Sequence, residues 1–377
     1  MRLFLLFALV VCAVADIAPL YTHLVDGIQG QYIVALTEES RTVDEFIASF
    51  DKASASVSII PKIRYRDGAF KGFAAQMSTV QLAEIRKMPE VAYVEQDSVV
   101  RALWVASWGL DRVDQRTLPL NGKAIFHGTG KGTNAYIIDT GVYPKNLFFS
   151  DRAYIAYDAV KDKYGGLDCN GHGTHCAGTV GGEVFGIARE ANLFGVKVLG
   201  CGGSGTTAGV IDGMDFVAKE GERPAVASMS LGGGASTAMD EAVARLFDAD
   251  VTVSVAAGNS YGDACSSSPA RAKEAITVGA TDIEDQKAAF SNYGKCVDIF
   301  APGVDIPSLW IDGTHAVNTI SGTSMACPHV TGGAILAVGN NPELTSAQVK
   351  AKILDNGTRD VVKNPGPESP NLMLYIP

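Results

Sequence analysis

Charged side chains are scarce in this chain. Asp, Glu, Lys and Arg make up 19% of its 377 residues, against 47% hydrophobic ones, and acids outnumber bases for a formal net charge of −10. No long basic run and no low-complexity segment is present. A balance of that sign repels a phosphate backbone and favours solubility, which argues against nucleic acid as a partner. Past the first fifteen residues no apolar run is long enough to cross a bilayer. Cysteine is absent from residues 16–103. A zinc-type histidine pair is lacking as well. His172 and His175 lie three apart with neither Asp nor Glu between them, where zinc helices want an i,i+4 pair beside a carboxylate.

What is present begins with a leader. Residues 1–15 place Arg2 before an apolar run, Leu3 to Val14, closed by Ala13-Val14-Ala15. The run is too short for a membrane anchor and its small-x-small ending reads as a cleavable secretory signal. The remaining chain is therefore expected outside the cell or in a lumen, where cysteines pair. Cys12 leaves with the leader, and the spacing of the other six leaves fifteen pairings open. Asn356-Gly-Thr358 forms a glycosylation sequon.

Two folding units follow. In residues 16–103 strands are expected at Tyr32–Leu36, Ile59–Tyr65, Phe70–Gln76 and Val91–Val100, with helices at Val43–Ala55 and Thr79–Met88. Strand–helix–strand–strand–helix–strand is the ferredoxin-like α+β pattern. In residues 104–377 short β-rich runs (Asn134–Ile138, Asn192–Val198, Ala225–Ser230, Val251–Ala256, Ile276–Gly279) alternate with helical ones such as Thr207–Lys219 and Ala238–Ala249. That alternation predicts an α/β fold, a mostly parallel sheet with helices on both faces.

Three segments of the second unit carry chemistry. Ala135-Tyr-Ile-Ile-Asp-Thr-Gly141 runs apolar β-formers into Asp139, at the strand end where active sites of open α/β sheets gather. Asn170-Gly-His-Gly-Thr-His-Cys-Ala-Gly178 sets His172 near the start of a small-residue helix. Ser321-Gly-Thr-Ser-Met-Ala-Cys-Pro-His329 puts Ser324 ahead of a buried helix, Met325 to Val338, near free backbone N–H groups and the positive end of the helix dipole. An acid, a histidine and a serine, each at the mouth of its own element, are the parts of a nucleophile–base–orienter relay. Ser324 lies in Gly-Thr-Ser-Met-Ala, which does not fit the Gly-x-Ser-x-Gly elbow of lipases and esterases.

With these segments in view, residues 104–377 resemble the subtilases, of the proteinase K group, whose chain order Asp, His, Ser is that of subtilisin. Trp108-Gly-Leu-Asp-Arg-Val113, Gly195-Val-Lys-Val198, Ser230-Leu-Gly-Gly-Gly234, Ala256-Ala-Gly-Asn259, Phe290-Ser-Asn-Tyr-Gly294 and Asp298-Ile-Phe300 carry the same likeness. Residues 16–103 resemble the inhibitory propeptide of those enzymes, with Tyr93-Val-Glu-Gln-Asp97 near its end. The resemblance implies a subtilisin-like fold and a secreted, self-processing serine endopeptidase, a monomer acting on protein or peptide substrates. It implies Ser324 as nucleophile, His172 as base, Asp139 as its orienter and Asn259 as oxyanion donor. Substrate would lie as a strand between Gly203-Ser204-Gly205 and Ser230-Leu231-Gly232. The uncharged pocket segments Leu231–Gly234 and Ala256–Gly258, including Gly234, Ala256 and Gly258, imply broad specificity with a large apolar or aromatic residue before the cut. The same resemblance implies disulfides Cys169–Cys201 and Cys265–Cys296; of the two cysteines left over, Cys176 matches a buried free cysteine of that group and Cys327 departs from its usual threonine, and both read as buried thiols. It implies no cofactor for the chemistry, and a structural calcium on Asp298 and the carbonyls of Lys273 and Ala275, with water completing the shell. A catalytically silent peptide-binding relative is the rival reading; it would be expected to lack one of the four reactive residues, and all four are present.

Overall fold

The computed structural model describes residues 17–22, 27–54, 57–65, 70–98 and 105–377. The leader lies outside them, as do the last residues of the helix expected to reach Ala55 and of the strand expected to reach Val100. The chain divides into two compact units, parting between Leu103 and Trp104.

The first unit holds β1 (Leu20–Tyr21), β2 (Gly27–Leu36), α1 (Val43–Ala53), β3 (Pro61–Arg64), β4 (Gly72–Gln76), α2 (Thr79–Ile85) and β5 (Val91–Ser98), in a sheet of order β1-β5-β2-β4-β3. β2 runs antiparallel to both β5 and β4, the ferredoxin-like arrangement. β1 was not expected; its two residues are too few to show alternation, and they add parallel to β5. Both helices start on capping boxes, Thr42 with Glu45 and Ser78 with Gln81, which satisfy two orphan N–H groups each. α1 buries Val43, Phe46, Ile47 and Phe50, an i, i+3, i+4, i+7 stripe. That stripe packs with Val34, Phe73, Ile85 and Val94 in one core, the only one among the unit's described residues.

The second unit is built on a nine-stranded sheet. Its elements are α3 (Trp108–Val113), β6 (Asn134–Asp139), β7 (Ala153–Asp158), α4 (His172–Gly181), β8 (Asn192–Lys197), α5 (Thr207–Glu220), β9 (Ala225–Met229), β10 (Gly233–Gly234), α6 (Thr237–Asp248), β11 (Val251–Ala256), β12 (Ser267–Ser268), β13 (Ile276–Thr281), β14 (Ile299–Pro302), β15 (Ile306–Leu309), β16 (Val317–Ile320), α7 (Thr323–Asn340), α8 (Ser346–Asn356), β17 (Thr358–Arg359) and β18 (Leu372–Met373). The large sheet has order β17-β18-β14-β13-β11-β9-β6-β8-β7, and every pairing in it except β17–β18 is parallel.

Alternation along β6 shows how the layers form. Ala135 and Ile137 join a core made with α4 and α7. Tyr136 and Ile138 join a second core on the other face, with Val210, Met214 and Val217 of α5 and Val243 and Leu246 of α6. A strand covered on both faces reads as an unbroken apolar run, which is why β6, β9, β11 and β13 are legible and buried at every position. α7 is buried almost all round, as a helix between layers must be.

Candidate active site

The carboxylate and the imidazole meet. Asp139 ends β6 with no exposure, and its Oδ1 accepts from the Thr140 N–H at 2.7 Å and lies 2.7 Å from His172 Nδ1. His172 opens α4, whose N-terminus sits hard against the β6 exit: a Cβ on Gly173 would come within 2.1 Å of the Gly141 carbonyl. Burial lowers the basicity of His172, but the charge and hydrogen bond of Asp139, with Asp168 behind them, outweigh it and hold the pKa above its ordinary value. His175, one turn along, is a different case. Its Nε2 bonds the Ile306 carbonyl at 2.9 Å, and burial drives its pKa down to about 4.

Ser324 is the second residue of α7. Its hydroxyl donates to the Ser230 carbonyl at 3.1 Å, and Ser230 Oγ donates back to the Ser324 carbonyl at 2.8 Å. That carbonyl is free because Pro328, four residues on, has no N–H to give it; Cys176 Sγ also reaches it at 3.5 Å. Cys176 lies one turn after His172 on α4, so the base's helix and the nucleophile's helix are joined at this point. In this resting arrangement Ser324 Oγ bonds Ser230 rather than His172. Catalytic hydrogen bonds are often unmade until substrate is present.

Asn259 is fixed by its oxygen: Oδ1 accepts from the Thr323 N–H at 2.9 Å and from Thr323 Oγ1 at 2.8 Å. Its amide nitrogen is left over; a Cβ on Gly322, just before Thr323, would lie 3.5 Å from Nδ2. One cavity is lined by His172, Gly203, Ser204, Gly205, Leu231 and Gly232. A second is lined by Ser230, Leu231, Ala256, Gly258, Asn259 and Ser324. Gly234 lines neither. It pairs instead with Ser267 in the β10–β12 ribbon.

Three contributors were not read from the sequence. Thr323 is one. Asp168 is another: buried, it accepts from Thr140 Oγ1 (2.9 Å), the Asn170 and Gly171 N–H groups (2.9 Å each), and the N–H and Oγ1 of Thr174 (3.0 and 2.6 Å). An acid two to three residues before Asn-Gly is an Asx-turn signal that could have pointed to it. The third is Lys197, with no side-chain exposure, donating to the carbonyls of Thr140 (2.8 Å) and Leu199 (2.9 Å) beneath the catalytic loop.

Disulfides join Cys169 to Cys201 and Cys265 to Cys296, and Cys176 and Cys327 are buried thiols. Asp298 and the carbonyls of Lys273 and Ala275 do converge, but on the ammonium of Lys350. Arranged so, they do not fit a calcium ion.

The fold and this constellation define a serine peptidase. Residues 130–370 match the subtilase family and residues 31–103 match peptidase inhibitor I9. An extracellular serine proteinase of Thermus sp. (strain Rt41A) is 52% identical over 312 residues, covering 82% of this chain and 76% of that protein. Alkaline serine exoprotease A of Vibrio alginolyticus is 45% identical over 337 residues, 87% of this chain and 62% of that protein. The crystal structure of a cold adapted subtilisin-like serine proteinase matches with a TM-score of 0.70 at 47% identity, over 72% of this chain and 99% of that one. The chain belongs to the subtilase family.

Proposed function

We propose that this is a secreted serine endopeptidase, made as a zymogen, in which Asp139, His172 and Ser324 cleave peptide bonds with broad specificity and a preference for large apolar or aromatic residues before the cut. The observation that carries the chemistry is the 2.7 Å contact between Asp139 and His172, which raises the imidazole's basicity against the opposing effect of burial. Substrate entry turns the Ser324 hydroxyl from the Ser230 carbonyl to His172 Nε2. As Oγ bonds to the scissile carbonyl carbon, its proton passes to Nε2, and Asp139 steadies the resulting cation. The carbonyl oxygen becomes an oxyanion between the Ser324 N–H and Asn259 Nδ2. Collapse breaks the C–N bond and the imidazolium gives its proton to the leaving amine. Water, deprotonated by the same imidazole, then releases the acyl group.

The specificity reading rests on the second cavity, whose lining has no charged side chain. The one deep amide there, Asn292, is already committed: Oδ1 accepts from the Ser260 and Gly262 N–H groups at 3.1 and 2.9 Å, and Nδ2 donates to the Ala257 carbonyl at 2.9 Å. The glycine edges differ in kind. A Cβ on Gly205 would come within 2.3 Å of the Val198 carbonyl, whereas one on Gly232 would meet only the Ser268 carbonyl, at an ordinary 3.6 Å. The bareness of Gly232 is not demanded by internal packing, which supports a backbone laid against that edge as an added strand. The inhibitor I9 unit would assist folding and then occupy the cleft, with maturation within residues 101–107; positions 101–104 lie outside the described residues.

The test compares the full chain with Ser324→Ala. The parent should cut itself within 101–107 and hydrolyse an apolar peptide substrate. The variant should stay full length, with turnover lower by about 10⁶, the scale known for subtilisin. Identical processing and turnover would overturn the assignment.

A further inference from the structure

The three oxygens expected to hold calcium do share a focus, and a side chain fills it. Lys350 Nζ donates to the Lys273 carbonyl at 2.9 Å and to the Ala275 carbonyl, and lies 3.3 Å from Asp298 Oδ2. An ammonium has three N–H donors, and all three are used. We propose that Lys350 is an internal counter-ion that stands in for calcium at this position, so that this corner of the peptidase unit is held together without metal.

The local chain supports it. α8 buries Ser346, Val349 and Ile353, and Lys350 follows directly on that seam with only 17% of its side chain exposed. Its stem therefore runs inward, where an exposed lysine would reach for water. The oxygens come from the approaches to two adjacent parallel strands, β13 and β14. That is the sheet edge opposite the one bearing Asp139, so the contact lies outside the catalytic machinery. Asp298 also accepts from the Thr277 N–H at 2.9 Å. Burial pushes its carboxyl up, and Lys350 is the first influence that pulls it back. One carboxylate and one ammonium are neutral together. Calcium added to them would leave two unbalanced positive charges at contact distance in a half-buried site, which Coulomb repulsion opposes.

The experiment uses the full chain carrying Ser324→Ala, to prevent self-cleavage, and compares it with the same chain carrying Lys350→Met, which keeps the stem's volume. In chelator the methionine variant should melt lower by about 2–4 °C. Added calcium should recover the loss, and calorimetric titration should count one more bound ion than in the Lys350 chain. An unchanged melting temperature, or no additional ion, overturns the proposal. A second measurement leaves Lys350 in place: Asp298→Asn should not change the calcium count of the Lys350 chain. A count that falls by one would mean that metal displaces the lysine, and the proposal fails.

Discussion

The two units of this chain stabilise themselves in different ways. The inhibitor-like unit has one core, built on one side of a five-stranded sheet, and leaves Ile60, Ile63 and Val80 at 84%, 50% and 59% exposure. The peptidase unit sandwiches its sheet between two cores and adds two disulfides. A unit of under about 100 residues buries a smaller share of its surface and is correspondingly marginal. The lesson is that a sheet covered on both faces and cross-linked, and a small sheet with one core, should fail under different conditions.

Acid should test the comparison hardest. His175 and His329 are fully buried neutral imidazoles in the peptidase unit, each pushed down by burial to about 4. The folded form holds them unprotonated while the unfolded form takes up protons below about 6.5, so stability present above that pH is lost as pH falls towards 4. Roughly 3 kcal/mol is at stake at each site. His172 works in the opposite sense, favouring the charged form, and its stabilisation is lost as pH rises through its raised pKa; as a base, it should place the acid limb of kcat/KM above about 6.5. None of the first unit's described residues is a histidine. Hydrogen exchange on the Ser324→Ala chain should show β13 losing protection before β2 as pH drops from 6.5 to 4; the reverse order breaks the comparison.

At neutral pH the weakness should move to the other unit. Phe46 has no exposure and packs beside Phe73 with ring centroids 6.2 Å apart. Phe46→Ala should cost about 3–5 kcal/mol, enough to unfold a small domain. Its signature is loss of exchange protection in β2 and β4 and a lower yield of active enzyme. A smaller effect comes from Cys169→Ser with Cys201→Ser. Removing that bridge should lower peptidase stability by about 3 kcal/mol and leave the first unit's protection unchanged.

Legibility in the sequence tracked how local each determinant is. Asp139, His172 and Ser324 stand within short runs whose strand or helix character is self-evident, so their elements could be placed from pattern alone. The buried parallel strands were legible because both faces are apolar. β7 was not: its burial thins towards solvent at the sheet's edge, with Tyr154 and Ile155 over 40% exposed. The β15–β16 hairpin and the short terminal strands were missed for want of length. Lys350 was illegible for another reason. Its partners lie 52 to 77 residues away, and nothing around it distinguishes a committed ammonium from a solvated one. Asn259 was found as a motif, but the lock that Thr323 places on its oxygen emerges only when the chain folds.

Pro328 gives the catalytic helix an asymmetry that a regular helix would not have. A carbonyl normally consumed inside the coil is exported sideways at Ser324, where a hydroxyl just beyond the end of β9 and a thiol from a neighbouring helix share it. Three separate pieces of chain are thereby riveted at the one peptide unit that must not drift while its own hydroxyl swings. Replacing an imino acid with any ordinary residue would invite that carbonyl back into the coil, and alignment at the reacting atom would then compete with helix regularity.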